Sequence, residues 1–201
     1  MTMRLPKRTA EDEHATAVHE SGHAVIARVL KLKCGKVTIE AKYRTGTSGY
    51  GIIYDPEDVI RWWVQCGRDR LDEAAFRGRI LAFMAGREAE EELLGYCEGG
   101  DDDDQRWIAR MLEDLYPGEW DRQDKFERRL RSFTRHLVRR HRSKIEALSR
   151  ALLEQRTMSD KRVRLAAGLP PRLRRLSRRR PTVAGAELMG CVPDPPASTV
   201  G

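Results

Sequence analysis

His19-Glu20-Ser21-Gly22-His23 sets two imidazoles four residues apart, with a carboxylate directly after the first. Residues four apart share one face of a helix, so both imidazoles can reach a single metal ion. The glutamate then stands beside a metal-bound water, where a carboxylate can accept a proton. The chemistry this spacing serves is metal-assisted hydrolysis, with His19 and His23 as ligands and Glu20 as general base. A catalytic zinc takes three protein ligands and leaves one position open, so a third group has to come from elsewhere in the chain. The acidic residues downstream are the candidates. They are the run Asp101 to Asp104 and, less well suited, Glu90 and Glu91, whose carboxylates fit better behind a histidine as orienting partners. The acidic run would be equally at home as a solvated loop and helix N-terminus.

The elements that position these groups are legible in part. Thr9, followed three residues later by Asp12, marks a helix start, and Glu11, Asp12 and Glu13 suit the positive end of its dipole. From there to about Leu32 only Gly22 works against a helix, at roughly 1 kcal/mol relative to alanine. The missing side chain there would let another backbone or a substrate come close. Ala17, Val18, Ala24, Val25, Val29 and Leu30 give the helix a broad apolar surface. Leu71 to Leu94 predicts a second helix, with Ala75, Phe76, Ile80, Phe83 and Met84 on its inner side. Ile108, Met111 and Leu112 recur at helical spacing after the acidic run, and Pro117-Gly118 ends that helix. Apolar positions from Phe126 to Leu153 predict one or two basic amphipathic helices. Asp58–Arg70, with Trp62 and Trp63, predicts a short helix or covering segment. His14, His136 and His141 lack a spacing that would place them with a metal.

The stretch Ala17 to Ile39 resembles the peptidase domain of the membrane-anchored, ATP-dependent FtsH proteases, the M41 metallopeptidase family. Three further segments stand in that family's order. Lys36–Ile39 and Ser48–Gly51 are similar to its two short strands, Phe83–Glu91 to its AGRxAEE helix, and Gly99-Gly100 with Asp101–Asp104 to its glycine-to-aspartate segment. The resemblance runs from roughly Glu13 to Leu153. It implies a third ligand four residues after a glycine and just inside a helix. Counting from Gly100 gives Asp104, with Asp103 the runner-up. One zinc ion per chain follows, and the strands around Val37–Ile39 and Tyr50–Ile53 could offer an exposed edge to which an extended polypeptide adds, with Val37, Thr38, Ile39, Gly49 and Tyr50 as the substrate-binding residues. No ATPase module and no apolar run of the ~20 residues needed to span a bilayer accompany these segments, so ATP-driven unfolding and hexamer formation do not carry over.

The expected fold is mainly α (α+β), a helical zinc-metallopeptidase domain with a short β element beside the active-site helix. The expected boundaries are 1–165 for the peptidase domain and 166–201 for a basic, disordered tail. Of the 201 residues, 40% are hydrophobic and 34% charged, enough for one core under a charged surface. Residues 1–121 carry 17 basic and 24 acidic side chains, a net of −7, whereas residues 122–201 carry 21 and 7, a net of +14. The run Arg172–Arg180 lacks interleaved aromatics, which fits a solvated tail with weak, salt-sensitive affinity for polyanions. Cys34, Cys66, Cys97 and Cys191 form no CxxC pair, which argues against a cysteine zinc site and a disulfide framework. The first 13 residues contain no signal-peptide core, so a cytoplasmic protein is expected. The expected activity is zinc-dependent endopeptidase cleavage of flexible or unfolded polypeptide. The alternative is an inactive M41-like scaffold that binds nucleic acid or an acidic partner through its basic C-terminal part. Substrate preference and oligomeric state leave no trace in the sequence.

Overall fold

The structure, a computed structural model, describes residues 8–32, 34–40, 50–53, 70–97, 99 and 101–171. Six helices and three short strands follow in the order α1 (Ala10–Val29), β1 (Cys34–Thr38), β2 (Tyr50–Ile53), α2 (Arg70–Leu93), α3 (Asp102–Leu115), α4 (Trp120–Arg140), α5 (Arg142–Gln155), β3 (Thr157–Met158) and α6 (Asp160–Ala166). The architecture is mainly helical, as the sequence led us to expect. The segment Asp58–Asp69, the basic run Arg172–Arg180, Cys66, Cys191 and Gly49 lie outside the described residues.

Helix α1 begins where its polar residues dictate. Thr9 Oγ1 accepts from the Asp12 amide at 3.1 Å, and the Asp12 carboxylate accepts from the Thr9 amide at 2.7 Å, a reciprocal capping box. Its other end differs from expectation, because the helix stops at Val29 rather than near Leu32. Lys31 adopts φ +61°, with Lys31 N–H donating to Arg28 O and Leu32 N–H to Ala27 O. This closing turn normally recruits glycine. A lysine there costs on the order of 1 kcal/mol and gives no sign in the sequence.

Helix α1 is buried without interruption from Glu20 to Arg28. One core joins its Val18, Val25 and Ile26 to Ala85 and Ala89 of α2, to Ile145, Leu148 and Leu152 of α5, and to Met158 and Val163 beyond. A second core joins Ile80 and Met84 of α2 to Ile108, Met111 and Leu112 of α3 and Leu130 of α4. Helix α2 therefore belongs to both. Gly22 lies at its crossing with α1, where a Cβ would stand 2.3 Å from the Ala85 carbonyl oxygen and 2.8 Å from Ala89 Cβ. The close approach expected at this glycine is made by the α2 backbone. The C-terminal end of α1 is tied down by Arg28, whose side chain is only 1% exposed. It donates to Asp160 Oδ1, Ala24 O and Gly35 O, all at 2.9 Å.

The strands form one antiparallel sheet in the order β2-β1-β3. This corrects the expectation of an exposed edge at Val37, Thr38 and Ile39. Val37 pairs with Gly51 on one side and Met158 on the other, and Thr38 with Tyr50 and Thr157. Ile39 N–H donates to Arg156 O, and Val37, Thr38 and Ile39 are all buried. At Val37 and Thr38 both edges of β1 are therefore taken, which leaves no room for an added strand there. Among the described residues β2, which contains Tyr50, is paired on one side only. The compact unit runs to Pro171, with Ala167 buried in the first core and Leu169 packed against it.

Candidate metal centre

Three acceptor atoms converge where α1, α2 and α3 meet. His19 and His23, one helical turn apart on α1, bring their Nε2 atoms within 2.8 Å of each other. Asp104, in the first turn of α3, places Oδ2 at 3.1 Å from His19 Nε2 and 3.0 Å from His23 Nε2. Each ring is held from behind. His23 Nδ1 lies 2.7 Å from the carbonyl oxygen of Ala82, which can only accept, so Nδ1 carries the proton and Nε2 the lone pair. His19 Nδ1 lies 2.5 Å from Glu90 Oε1, which fixes the same tautomer. The lone pairs of two imidazoles and a carboxylate thus face one another.

A proton on either ring satisfies one side of that triangle, whereas a cation at its centre satisfies all three. The His19–His23–Asp104 group could therefore hold a metal ion. A tetrahedral site with bonds of ~2.0–2.2 Å has ligand–ligand edges of roughly 3.3–3.6 Å; the edges here are 2.8, 3.0 and 3.1 Å, so the three groups would spread by roughly 0.2–0.8 Å around an ion. Two nitrogens and one oxygen match the donor set of divalent first-row metals.

The electrostatics follow from the same contacts. Burial favours the neutral forms of His19 and His23, but Asp104 facing both rings and Glu90 behind His19 outweigh it, so both pKa values rise. Asp104 is held well below the ordinary carboxylate range: burial works against its charge, and the two histidines prevail. Glu20 behaves oppositely. It is buried, and burial raises its pKa despite the histidines beside it. Its Oε2 has no hydrogen-bond partner among the described residues.

Helix α2 makes room for the rings. A Cβ on Gly86 would stand 2.4 Å from His23 Nε2 and 2.7 Å from His19 Cε1. The Phe83 ring meets His23 edge-on with centroids 6.4 Å apart, and the Arg79 guanidinium lies 5.3 Å from the Phe83 centroid. The first turn of α3 is anchored by buried Asp101, which accepts from Gln105 Nε2 at 2.7 Å and Arg87 Nη1 at 3.5 Å.

Of the residues singled out from sequence, the structure brings His19, His23, Asp104 and Glu90 together, with Glu20 alongside. Asp103 points elsewhere; its exposed carboxylate pairs with Arg106. Glu91 pairs with Arg87. Sequence reasoning missed Gly86, the Ala82 carbonyl and the anchoring role of Asp101. The signal for Gly86 was present: a glycine inside a long helix forfeits about 1 kcal/mol and requires a packing reason. The chain matches no protein-family model and no curated protein.

Proposed function

We propose that the protein is a zinc-dependent endopeptidase of the M41-like kind, acting on flexible or unfolded polypeptide. The observation that carries this reading is the convergence of three acceptor atoms beside the buried Glu20 carboxylate, whose Oε2 has no hydrogen-bond partner among the described residues. His19, His23 and Asp104 would hold the zinc. When bound, zinc supplies a Lewis acid that lowers the pKa of water towards about 7 and polarises a carbonyl. Glu20 is the proton carrier: its carboxylate takes the proton of the attacking water and delivers it to the amide nitrogen as the C–N bond breaks. Burial raises its proton affinity, which suits a group that must both accept and release a proton. Glu90 and the Ala82 carbonyl keep both Nδ1 atoms protonated, so that both Nε2 lone pairs remain available to the metal. An extended substrate would add along the outer edge of β2, since β3 already covers Val37 and Thr38 of β1. An inactive scaffold offers no use for a buried carboxylate with one oxygen left unpartnered among the described residues.

The test is metal content followed by cleavage. Purified protein reconstituted with zinc should carry about one ion per chain by elemental analysis, and His23→Ala should lose it. Glu20→Gln should keep the zinc and lose casein cleavage. Zinc-loaded wild type that cleaves neither casein nor a library of unstructured peptides would refute the peptidase reading, and a Glu20→Gln variant with full activity would remove Glu20 from the mechanism.

A further inference from the structure

Most arginines of α4 meet a carboxylate, Arg122 that of Glu119 among them, whereas Lys125, Arg129 and Arg140 meet none among the described residues. Arg128, Arg131, Arg135 and Arg139 each meet a carboxylate, from Asp124 at 2.8 Å, Glu127 at 2.6 Å, and Glu88 and Glu92 of α2 at 2.7 Å. Arg129, His136 and Arg140, with Lys125 one turn earlier, are exposed and have no carboxylate within 4.0 Å among the described residues. Phe133 lies among them, half exposed. At 100° per residue, positions 125, 129, 133, 136 and 140 occupy an arc of about 80° that runs for about 22 Å along the helix. No residue three or four positions from Arg129, Phe133, His136 or Arg140 is acidic. Like charges one turn apart repel, as Lys125 and Arg129 do. Arg129 and Arg140 have no acidic residue one turn away, whereas Lys125 has Asp121.

We propose that this face of α4 binds single-stranded nucleic acid. The phosphate backbone supplies the negative charge that the arc lacks, and guanidinium groups engage phosphate oxygens in pairs. Phe133, between Arg129 and His136, offers a ring on which an unpaired base stacks. Bases in a duplex are already stacked on one another, so a duplex makes no use of the ring. An acidic polypeptide would satisfy the cations but brings no flat base to it. The surface is separate from the metal centre, so the two readings stand or fall independently.

The experiment is fluorescence anisotropy of the full chain with a labelled oligothymidylate of about 20 nucleotides, longer than the ~4–16-nucleotide footprint of single-strand sites. Phe133→Ala should weaken binding on the order of tenfold. Phe133→Leu, which keeps apolar bulk but no ring, should do nearly the same. Arg129→Gln combined with Arg140→Gln should lower the slope of log affinity against log salt by about 1.4, at ~0.7 per lost phosphate contact. Arg128→Gln, on the paired arc, should leave affinity within about twofold. Undetectable binding by the wild-type chain overturns the proposal, as does an effect of Arg128→Gln equal to that of Arg129→Gln. So does a Phe133→Leu variant that binds like wild type. Equal, Phe133-dependent binding of a duplex or of polyglutamate would reassign the face to that partner.

Discussion

Gly86→Ala pits two effects of opposite sign against each other in one methyl group. Alanine is a better helix former than glycine by about 1 kcal/mol, and Gly86 lies inside α2. The new Cβ, however, would stand 2.4 Å from His23 Nε2, 2.6 Å from His23 Cε1 and 2.7 Å from His19 Cε1. Ordinary contacts between such atoms are ~3.5–4.0 Å, so the two rings must retreat by roughly 1 Å. Overpacking of this kind costs ~1–3 kcal/mol, which leaves the metal-free protein unchanged to about 2 kcal/mol less stable. The metal centre suffers more, because ligand distances tolerate only about ±0.2 Å. We expect zinc affinity to fall by at least about 100-fold. Thermal unfolding with and without zinc measures this directly. At a zinc concentration about 1,000 times the wild-type Kd, wild type gains ~4 kcal/mol, while a variant weakened about 100-fold gains ~1.4. Gly78→Ala is the control on the same helix, since its Cβ would make an ordinary 3.5 Å contact with Leu32 Cδ2. It should gain up to about 1 kcal/mol, or ~2–4 °C in Tm, and respond fully to zinc. A Gly86→Ala protein with the wild-type zinc shift would refute the geometry of the site.

Asp104→Asn should weaken zinc binding by more than about 100-fold. Asp103→Asn, which removes only an exposed pair with Arg106, should change it less than about twofold; equal effects in zinc titrations would move the third ligand. Glu90→Gln should reduce zinc affinity about 10–100-fold through His19, and wild-type affinity in that variant would deny Glu90 an orienting role. In the metal-free protein both histidine pKa values lie above the ordinary ~6.5. Their contribution to stability is therefore complete below about 6.5 and lost as pH rises through the raised values. Zinc must displace those protons, so the Tm gain on adding zinc should be smaller at a pH of about 6 than at about 8; a gain that shrinks with rising pH would contradict it.

Local signals in the sequence located much of the site. The Thr9–Asp12 capping box, the four-residue histidine spacing and the register of Ile108, Met111 and Leu112 each depend on residues within a turn or two of one another. What was hidden depends on distant segments. Strand β3 is two residues long, Thr157 and Met158, too short to show alternation, so nothing marked β1 as a central strand. The turn that ends α1 uses Lys31 where glycine is usual. Ala82 acts through its backbone, and its side chain says nothing of that. Gly22 and Gly86 were visible as helix-weakening residues, but which neighbour each admits is decided by the crossing of α1 with α2.

The contacts of α1 with the far end of the domain bear on when the site comes into being during synthesis. Glu13 is held by Arg156, and Arg28 by Asp160, across 143 and 132 residues of chain. The sheet beside α1 closes only when Thr157 and Met158 arrive. A growing polypeptide that has released residue 104 already contains all three acceptors, yet the helix presenting two of them still lacks α5, β3 and α6 to pack against. Interactions so far apart in sequence close late and slowly. The helix that presents His19 and His23 therefore completes its packing only after the segment from Arg156 to Asp160 has been synthesised.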